Sequence, residues 1–460
     1  MKYISSLIIL CSFVNSALIG QTWSKIGTGA NGTVHSITTH LDGLAIGGEF
    51  KEFNAFNRYN FCFIRENSLD DYSYFSTYSA DFDRRASGAK EIGTAVYASV
   101  SVGDQLHVGG KFFHPDYLSD VSLGYFSLDT ADNSTPFMGY DEQLTAGSSI
   151  FCMEKFDGRV FFGGDFVNLG PVSCIGSVDL SSSPNYQIES IGSGLNGIVR
   201  NLAVHNGELY AGGEFLYSAN GDTLNHIAKW NGNTWIPVGR GFDGGVYTLK
   251  SFQGKLYAGG MFTKSDSVSM MRIASWNDTN WNAVGSGFTD SSAAVFALES
   301  YSDTLYAAGA FRTAGFQSTK NLAKFDGNDW VPLGKGLNDT VFCLKSYRGR
   351  LYIGGSFTLA HDQVVRNIVT YNNGKEKLGI NEQVTDNSTV TLYPNPASTE
   401  LRIQASKQIG RVEIWDLKGN KVIESTNSII SVNQLPNGLY LAKINLEGSE
   451  FQMHKLIIAR

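Results

Sequence analysis

Apolar and polar residues alternate along most of this chain with a period of two, in short runs bounded by Gly, Asn, Asp and Ser. That pattern predicts many short β-strands joined by tight turns. One run recurs seven times: Leu44-Ala-Ile-Gly-Gly-Glu-Phe50, Leu106-His-Val-Gly-Gly-Lys-Phe112, Val160-Phe-Phe-Gly-Gly-Asp-Phe166, Leu209-Tyr-Ala-Gly-Gly-Glu-Phe215, Leu256-Tyr-Ala-Gly-Gly-Met-Phe262, Leu305-Tyr-Ala-Ala-Gly-Ala-Phe311 and Leu351-Tyr-Ile-Gly-Gly-Ser-Phe357. The second glycines, Gly48, Gly110, Gly164, Gly213, Gly260, Gly309 and Gly355, are spaced by 62, 54, 49, 47, 49 and 46 residues. A period of that size fits one four-stranded sheet per repeat.

Thirteen residues before the first glycine of each pair stands a β-branched residue: Val34, Val96, Ile150, Val199, Val246, Val295 or Val341. Two residues further on is a column of modest size: Ser36, Ala98, Cys152, Asn201, Thr248, Ala297 and Cys343. Strict alternation puts both columns on one face of a strand and the intervening Tyr97, Phe151, Tyr247, Phe296 and Phe342 on the other. Both faces are then expected to be buried, as in an innermost strand. Turns are predicted at Asp42-Gly43, Gly103-Asp104, Asp157-Gly158, Asn206-Gly207, Gln253-Gly254, Ser302-Asp303 and Arg348-Gly349. Third strands follow at Ile227–Trp230, Ile273–Trp276, Leu322–Phe325 and Ile368–Tyr371, with weaker copies at Phe61-Cys62 and Ile175-Gly176. Fourth strands open at Trp235, Trp281 and Trp330 and close on Gly239, Gly285 and Gly334. The sum is an all-β fold, a seven-bladed β-propeller over residues 21–380. An extra fourth-strand copy, Trp23-Ser-Lys-Ile-Gly27-Thr-Gly29, precedes the first repeat. Since an open ring leaves two unpaired edges, residues 22–29 are expected to complete blade seven.

Composition changes this picture little. Glycine at 51 of 460 residues, 9 prolines, 12% aromatic and 17% charged residues fit a packed, turn-rich β protein. A net charge of -7 without a basic run leaves no footprint for nucleic acid. Residues 1–20, with Lys2 before the apolar stretch Ile4–Val14, read as a signal peptide cut before Gln21, with Ala17 the other candidate position. Cys11 leaves with it. No later segment is apolar enough over about 20 residues for a transmembrane span, so the exported protein is expected to be soluble. Cys62, Cys152, Cys174 and Cys343 are expected to be four buried free thiols, since their predicted strands lie beyond disulfide reach.

After a polar linker, 381–391, a different pattern begins at 392 and runs to 460, again short strands with Gly and Asn turns, predicting a small β-sandwich of immunoglobulin-like type. Its Tyr393-Pro394-Asn395-Pro396 opening, Asp416-x-x-Gly419 hairpin, Asn437-Gly438-x-Tyr440 turn and Lys455-Leu-Ile-Ile terminus resemble the type A C-terminal sorting domain of type IX secretion cargo. The resemblance implies recognition by the type IX outer-membrane translocon, removal by its sortase and attachment to surface lipopolysaccharide. The destination is then the cell surface or the extracellular space. Residues 22 to 380 resemble the kelch and galactose-oxidase class of propellers and, more closely, bacterial extracellular repeats of the same double-glycine pattern.

Catalytic signals are sparse. There is no His-Glu-x-x-His, no His-x-His and no cysteine pair at metal spacing, so no metal and no cofactor is expected. Asn231-Gly-Asn-Thr-Trp235 and Asp326-Gly-Asn-Asp-Trp330 read as turns. Glu49, Asp165 and Glu214 follow glycine pairs and could supply the two carboxylates of a glycoside hydrolase; ordinary strand-end solvation is the competing reading. Longer connections between strands two and three, at 51–58, 111–121, 216–226, 263–272, 312–320 and 358–366, gather on one rim and carry His114, Asp116, Tyr117, Asp222, His226, Arg312, His361 and Arg366. These are the candidate binding residues for an unknown glycan or protein, together with the tyrosine-rich insertion Asn67–Lys90. A recognition or adhesion module is the first reading, a polysaccharide- or glycoprotein-acting enzyme the second, and a structural envelope component the third.

Overall fold

The computed structural model describes residues 21–57, 60–65, 95–114, 119–127, 138–139, 148–167, 173–182, 188–374, 390–393, 397–405, 408–416, 421–446 and 452–458. The chain divides into two compact units, Met1–Lys375 and Glu376–Arg460. Among the described residues, no helix is long and apolar enough to cross a membrane.

The first unit is a β-propeller built of antiparallel sheets. Their first strands are Thr33–His40, Ala95–Val102, Ile150–Phe156, Val199–His205, Val246–Phe252, Ala294–Tyr301 and Val341–Tyr347. Each packs against the first strands of the sheets before and after it, and the last packs against the first, so the sheets form a closed ring. Six sheets have four described strands; the one that starts at Thr33 has three, and its predicted insertion lies outside the described residues.

The glycine pairs hold the ring together, and each glycine has its own task. A Cβ on the first glycine would lie 2.5 or 2.6 Å from the β-branched residue of the next sheet: Gly47 from Val96, Gly109 from Ile150, Gly163 from Val199, Gly212 from Val246, Gly259 from Val295 and Gly354 from Val34. The sixth sheet places the buried Ala308 in this slot, so a methyl can be accommodated there. A Cβ on the second glycine would sit between 1.9 and 2.2 Å from a backbone carbonyl oxygen at the start of its own sheet's first strand or just before it, such as Gly245 for Gly260. Backbone yields less readily than a side chain, and this slot is glycine in all seven repeats.

Strand Thr22–Lys25 pairs antiparallel with Ile368–Asn372, placing Trp23 opposite Tyr371 and completing the last sheet with the first described strand of the chain. The Trp23 indole packs on Tyr371 at 5.1 Å and stacks on His361 at 5.9 Å. The expected closing segment is therefore present. Successive sheets are also linked through their fourth strands, where the Trp281 and Trp330 indoles donate to the carbonyls of Val238 and Val284 at 3.0 and 2.9 Å.

Three local expectations change. The first sheet turns on Leu41-Asp42, with Leu41 at φ 47°, one residue before the expected pair. Segment 111–121 is largely strand, because Gln105–His114 and Ser119–Ser127 extend into it. The described cysteines are all free, but Cys343, which borders the central channel, is only partly buried. The Asn231 and Asp326 hairpins are turns: each side-chain oxygen accepts two backbone N–H bonds from residues two and three positions on.

The second unit holds a three-stranded sheet, Val390–Tyr393, Glu400–Ala405 and Ile429–Ser431, and a four-stranded one, Lys421–Ser425, Ile409–Trp415, Gly438–Leu446 and Gln452–Ile458. Leu401, Ile403 and Ile430 from one sheet share a core with Val412, Ile414, Ala442 and Leu456 from the other, which makes the unit a β-sandwich.

Two stability measurements test this account in the full chain. Gly260→Ala, which meets backbone, is expected to cost about 3 kcal/mol, and Gly259→Ala, which meets side chains, about 1 kcal/mol. Equal losses in chemical denaturation would contradict the division of labour. Trp23→Ala is expected to cost about 3 kcal/mol by removing a large aromatic from the closing strand, and an unchanged melting curve would show that closure does not matter.

Candidate functional site

Close approach of the second glycine to the first strand accompanies a β-bulge in every sheet. The register slips by one residue between Val34 and Ser36, Val96 and Ala98, Ile150 and Cys152, Val199 and Asn201, Val246 and Thr248, Val295 and Ala297, and Val341 and Cys343. A bulge leaves its extra residue unpaired and re-aims the side chain. Here the extra residues are His35, Tyr97, Phe151, Arg200, Tyr247, Phe296 and Phe342, all only partly buried. They line a cavity of about 470 Å3 bounded by the first strands of the seven described sheets, which is the central channel. Strict alternation, which put Tyr97, Phe151, Tyr247, Phe296 and Phe342 on a buried sheet face, fails at these bulges.

The seven side chains touch in sequence around the axis. His35 meets Tyr97 at 5.0 Å and Tyr97 meets Phe151 at 5.4 Å. The Arg200 guanidinium lies over Phe151 at 4.5 Å and over Tyr247 at 5.9 Å. Tyr247 stacks on Phe296 at 5.5 Å, Phe296 meets Phe342 at 5.6 Å, and Phe342 returns to His35 at 5.1 Å. The girdle is closed.

Residues that follow the glycine pairs brace it from outside. Glu49 Oε1 accepts a 3.1 Å hydrogen bond from Tyr97 Oη and lies 3.3 Å from His35 Nε2. The hydrogen bond with His35 holds the Glu49 carboxyl below the usual range against the opposing effect of burial, while burial, with the Glu49 charge second, pushes the Tyr97 phenol up to about 12. Glu214 Oε1 accepts from Arg200 Nε at 3.0 Å and lies 2.8 Å from Nη2. Tyr247 Oη donates to Met261 Sδ at 3.0 Å. Asp165 accepts the Ser149 backbone amide at 2.6 Å. Each of the three carboxylates considered for sugar hydrolysis thus has a partner in the scaffold.

Further along the first strands the channel is lined by Glu154, Lys250, Glu299 and Lys345. Lys250 Nζ and Glu299 Oε1 form an ion pair at 2.5 Å between neighbouring sheets. Burial pushes the Glu154 carboxyl up to about 7, although the Lys155 amide and the Lys345 and Lys250 charges act the other way.

Among the described residues, four of the six predicted rim connections are regular structure. They fold as small hairpins, Glu52–Phe53 with Phe56–Asn57, Lys264–Ser265 with Val268–Ser269, Thr313–Ala314 with Gln317–Ser318, and Leu359–Ala360 with Gln363–Val364. An Asn or Asp just after each Gly-x-Gly pins the hairpin of its own repeat by accepting two backbone amides: Asn31, Asn196, Asp243, Asp290 and Asn338. The hairpins leave the end of strand two, the same end at which strand one begins, so they surround the mouth that carries the girdle.

The candidate rim residues are spread over this perimeter. Asp222 Oδ2 accepts from Ser218 Oγ at 3.2 Å within its own turn. His226 has its pKa lowered by burial, with the Gly213 backbone opposing. Arg312 donates its backbone amide to Asp290. His361 stacks on Trp23 and accepts the Lys335 amide at 3.1 Å through Nδ1. The Arg366 carbonyl accepts the Ala30 amide at 3.1 Å. None of these five side chains lines the channel. His114 ends a strand, its side chain not being among the described groups, and Asp116, Tyr117 and the insertion Asn67–Lys90 lie outside the described residues. Among the described residues no group of three or more His, Cys, Asp or Glu could hold a metal ion. The column His35, Tyr97, Phe151, Arg200, Tyr247, Phe296 and Phe342 was the missed signal: an aromatic and cationic register in an otherwise aliphatic and small strand.

In the second unit, Tyr393 is half exposed, Asn437 is exposed, and the buried Tyr440 donates its hydroxyl to the Pro436 carbonyl at 3.0 Å, pinning the Asn-Gly turn. Asp416 follows the strand Ile409–Trp415 and Lys455 lies within Gln452–Ile458, opposite Leu441. Pro394, Asn395, Pro396 and Gly419 lie outside the described residues.

No curated protein matches the chain. Among solved structures, the extracellular domain of the putative hybrid two component system BT4673 from B. thetaiotaomicron is 12% identical with a TM-score of 0.46, covering 96% of this chain and 59% of that one. The WD40 beta propeller domain of Doa1 is 10% identical with a TM-score of 0.44, covering 76% of this chain and 96% of that one. Residues 391–459 match the family described as the secretion system C-terminal sorting domain, so the chain carries a type IX sorting domain and is directed to the cell surface or the extracellular space.

Proposed function

We propose that this chain is a surface or extracellular recognition module: a signal peptide (1–20), a seven-bladed kelch-like propeller (21–380) that binds a glycan at the mouth of its channel, a linker (381–391) and a sorting domain (392–460) read by the type IX translocon and sortase. Surface lipopolysaccharide is its attachment point. One observation carries the binding role, the closed girdle of His35, Tyr97, Phe151, Arg200, Tyr247, Phe296 and Phe342 at the channel mouth. Aromatic side chains with few torsions give contact area at low entropic cost, and their polar tips supply hydrogen bonds that orient a ligand. The carboxylates beside the girdle are engaged with His35, Tyr97, Arg200 and the Ser149 amide, which favours holding over turnover.

Glycan-array binding by the full chain tests this directly. Tyr247→Ala and Phe296→Ala are each expected to weaken the best glycan at least tenfold at an unchanged melting temperature; undiminished binding would refute the site, and release of cleaved product would favour the enzyme reading. Removal of residues 392–460 is expected to strand the protein in the periplasm, as read by cell fractionation, and surface display of that form would refute the address.

A further inference from the structure

Below the girdle, one of the channel's charges lacks a contact partner. Its charged lining residues are Arg200, Lys250 and Lys345 against Glu154 and Glu299, with His35 at the mouth. Arg200 is matched by Glu214, Lys250 by Glu299 and His35 by Glu49. Lys345 is partly buried and makes no hydrogen bond or ion pair among the described residues. The remaining acid, Glu154, sits on the first strand of the third sheet, three sheets from Lys345 round the closed ring, where the Lys345 charge reaches it without an ion pair. A lysine that lines the channel with no contact partner is available to pair directly with an incoming anion.

We propose that the channel selects a negatively charged glycan, with the girdle supporting the face of a sugar ring and Lys345 pairing with its acid group. This rests on the reading of the mouth as a glycan site and adds the ligand class. Carboxylate and sulfate share the chemistry required. A neutral sugar would fill the girdle and leave Lys345 unpaired, so the acid group gives discrimination as well as affinity.

The test measures affinities of the full chain, by titration calorimetry at low salt, for a uronic-acid oligosaccharide, its carboxyl-reduced neutral counterpart and a sulfated neutral oligosaccharide of the same length. The expected result is at least a tenfold preference for one of the acidic probes over the neutral one, with the uronate and sulfate arms telling which acid is used. Lys345→Met keeps the aliphatic stem and is expected to bring the ratio to about one. Glu154→Gln removes the remaining carboxylate and is expected to raise it. Melting temperatures of both variants check folding, and the Glu154→Gln gain cannot arise from a folding defect. A ratio near one in the unsubstituted chain overturns the inference and leaves the glycan reading standing. No binding of any of the three probes, together with a blank glycan array, overturns both. Binding of an acidic peptide in place of every glycan overturns the ligand class.

Discussion

The contact between the first strand of each sheet and its own and its neighbour's glycine pair governs this ring. A β-branched side chain from one sheet fills the space left by the missing Cβ of the sheet before it, from Gly47 with Val96 round to Gly354 with Val34. Six such contacts, with Ala308 in the remaining slot, bring the first strands near enough to enclose a channel while keeping each sheet's own ladder intact. The second glycine lets the first strand's carbonyl approach to within what would be about 2 Å of a Cβ, and the strand bulges at the same place. Packing between sheets and bulging within a sheet are two results of one dipeptide.

The bulge also makes the site. In a regular ladder the residue after Val34 or Val246 would lie against a neighbouring sheet; displaced by the slip, it turns toward the axis. Seven displaced residues then meet one another, which no single sheet could arrange. Their chemistry is free to vary because the scaffold depends on the residues on either side. That freedom shows in the column: five sheets supply Phe or Tyr, the first supplies His35, and the fourth supplies Arg200 with its own carboxylate. Two of the residues after the glycine pair follow suit: Glu49 stands beside His35 and Glu214 beside Arg200. Bracing of the girdle thus accounts for Glu49 and Glu214, while Asp165 holds the Ser149 amide at the start of its own sheet.

Strength of signal differed along the ring for a physical reason. The fourth to seventh sheets have short, regular connections, so their four strands were legible down to the tryptophans that open the outer ones. In the second and third sheets the outer strands, Met138–Gly139 and Ile188–Ser190, are short and lack a tryptophan, and the structure alone located them. Asn31, Asp243 and their equivalents, which pin the rim hairpins, recur two or three residues after Gly-x-Gly, yet their role needs the hairpin to lie beside them in space.

Sequence by itself determined the repeat, its inner and third strands, the N-terminal closing strand and the sorting motifs, because each is encoded by local periodicity, turn chemistry or a short motif read within one stretch of chain. Tertiary structure decided the girdle and the charge balance of the channel. A period-two reading assigns faces only while the register holds, and the slip opposite Gly48 and its equivalents comes from a long-range approach of backbone to backbone. Lys345 likewise reads as an ordinary strand lysine until Glu154, Lys250 and Glu299 are brought from three other sheets to line the same channel.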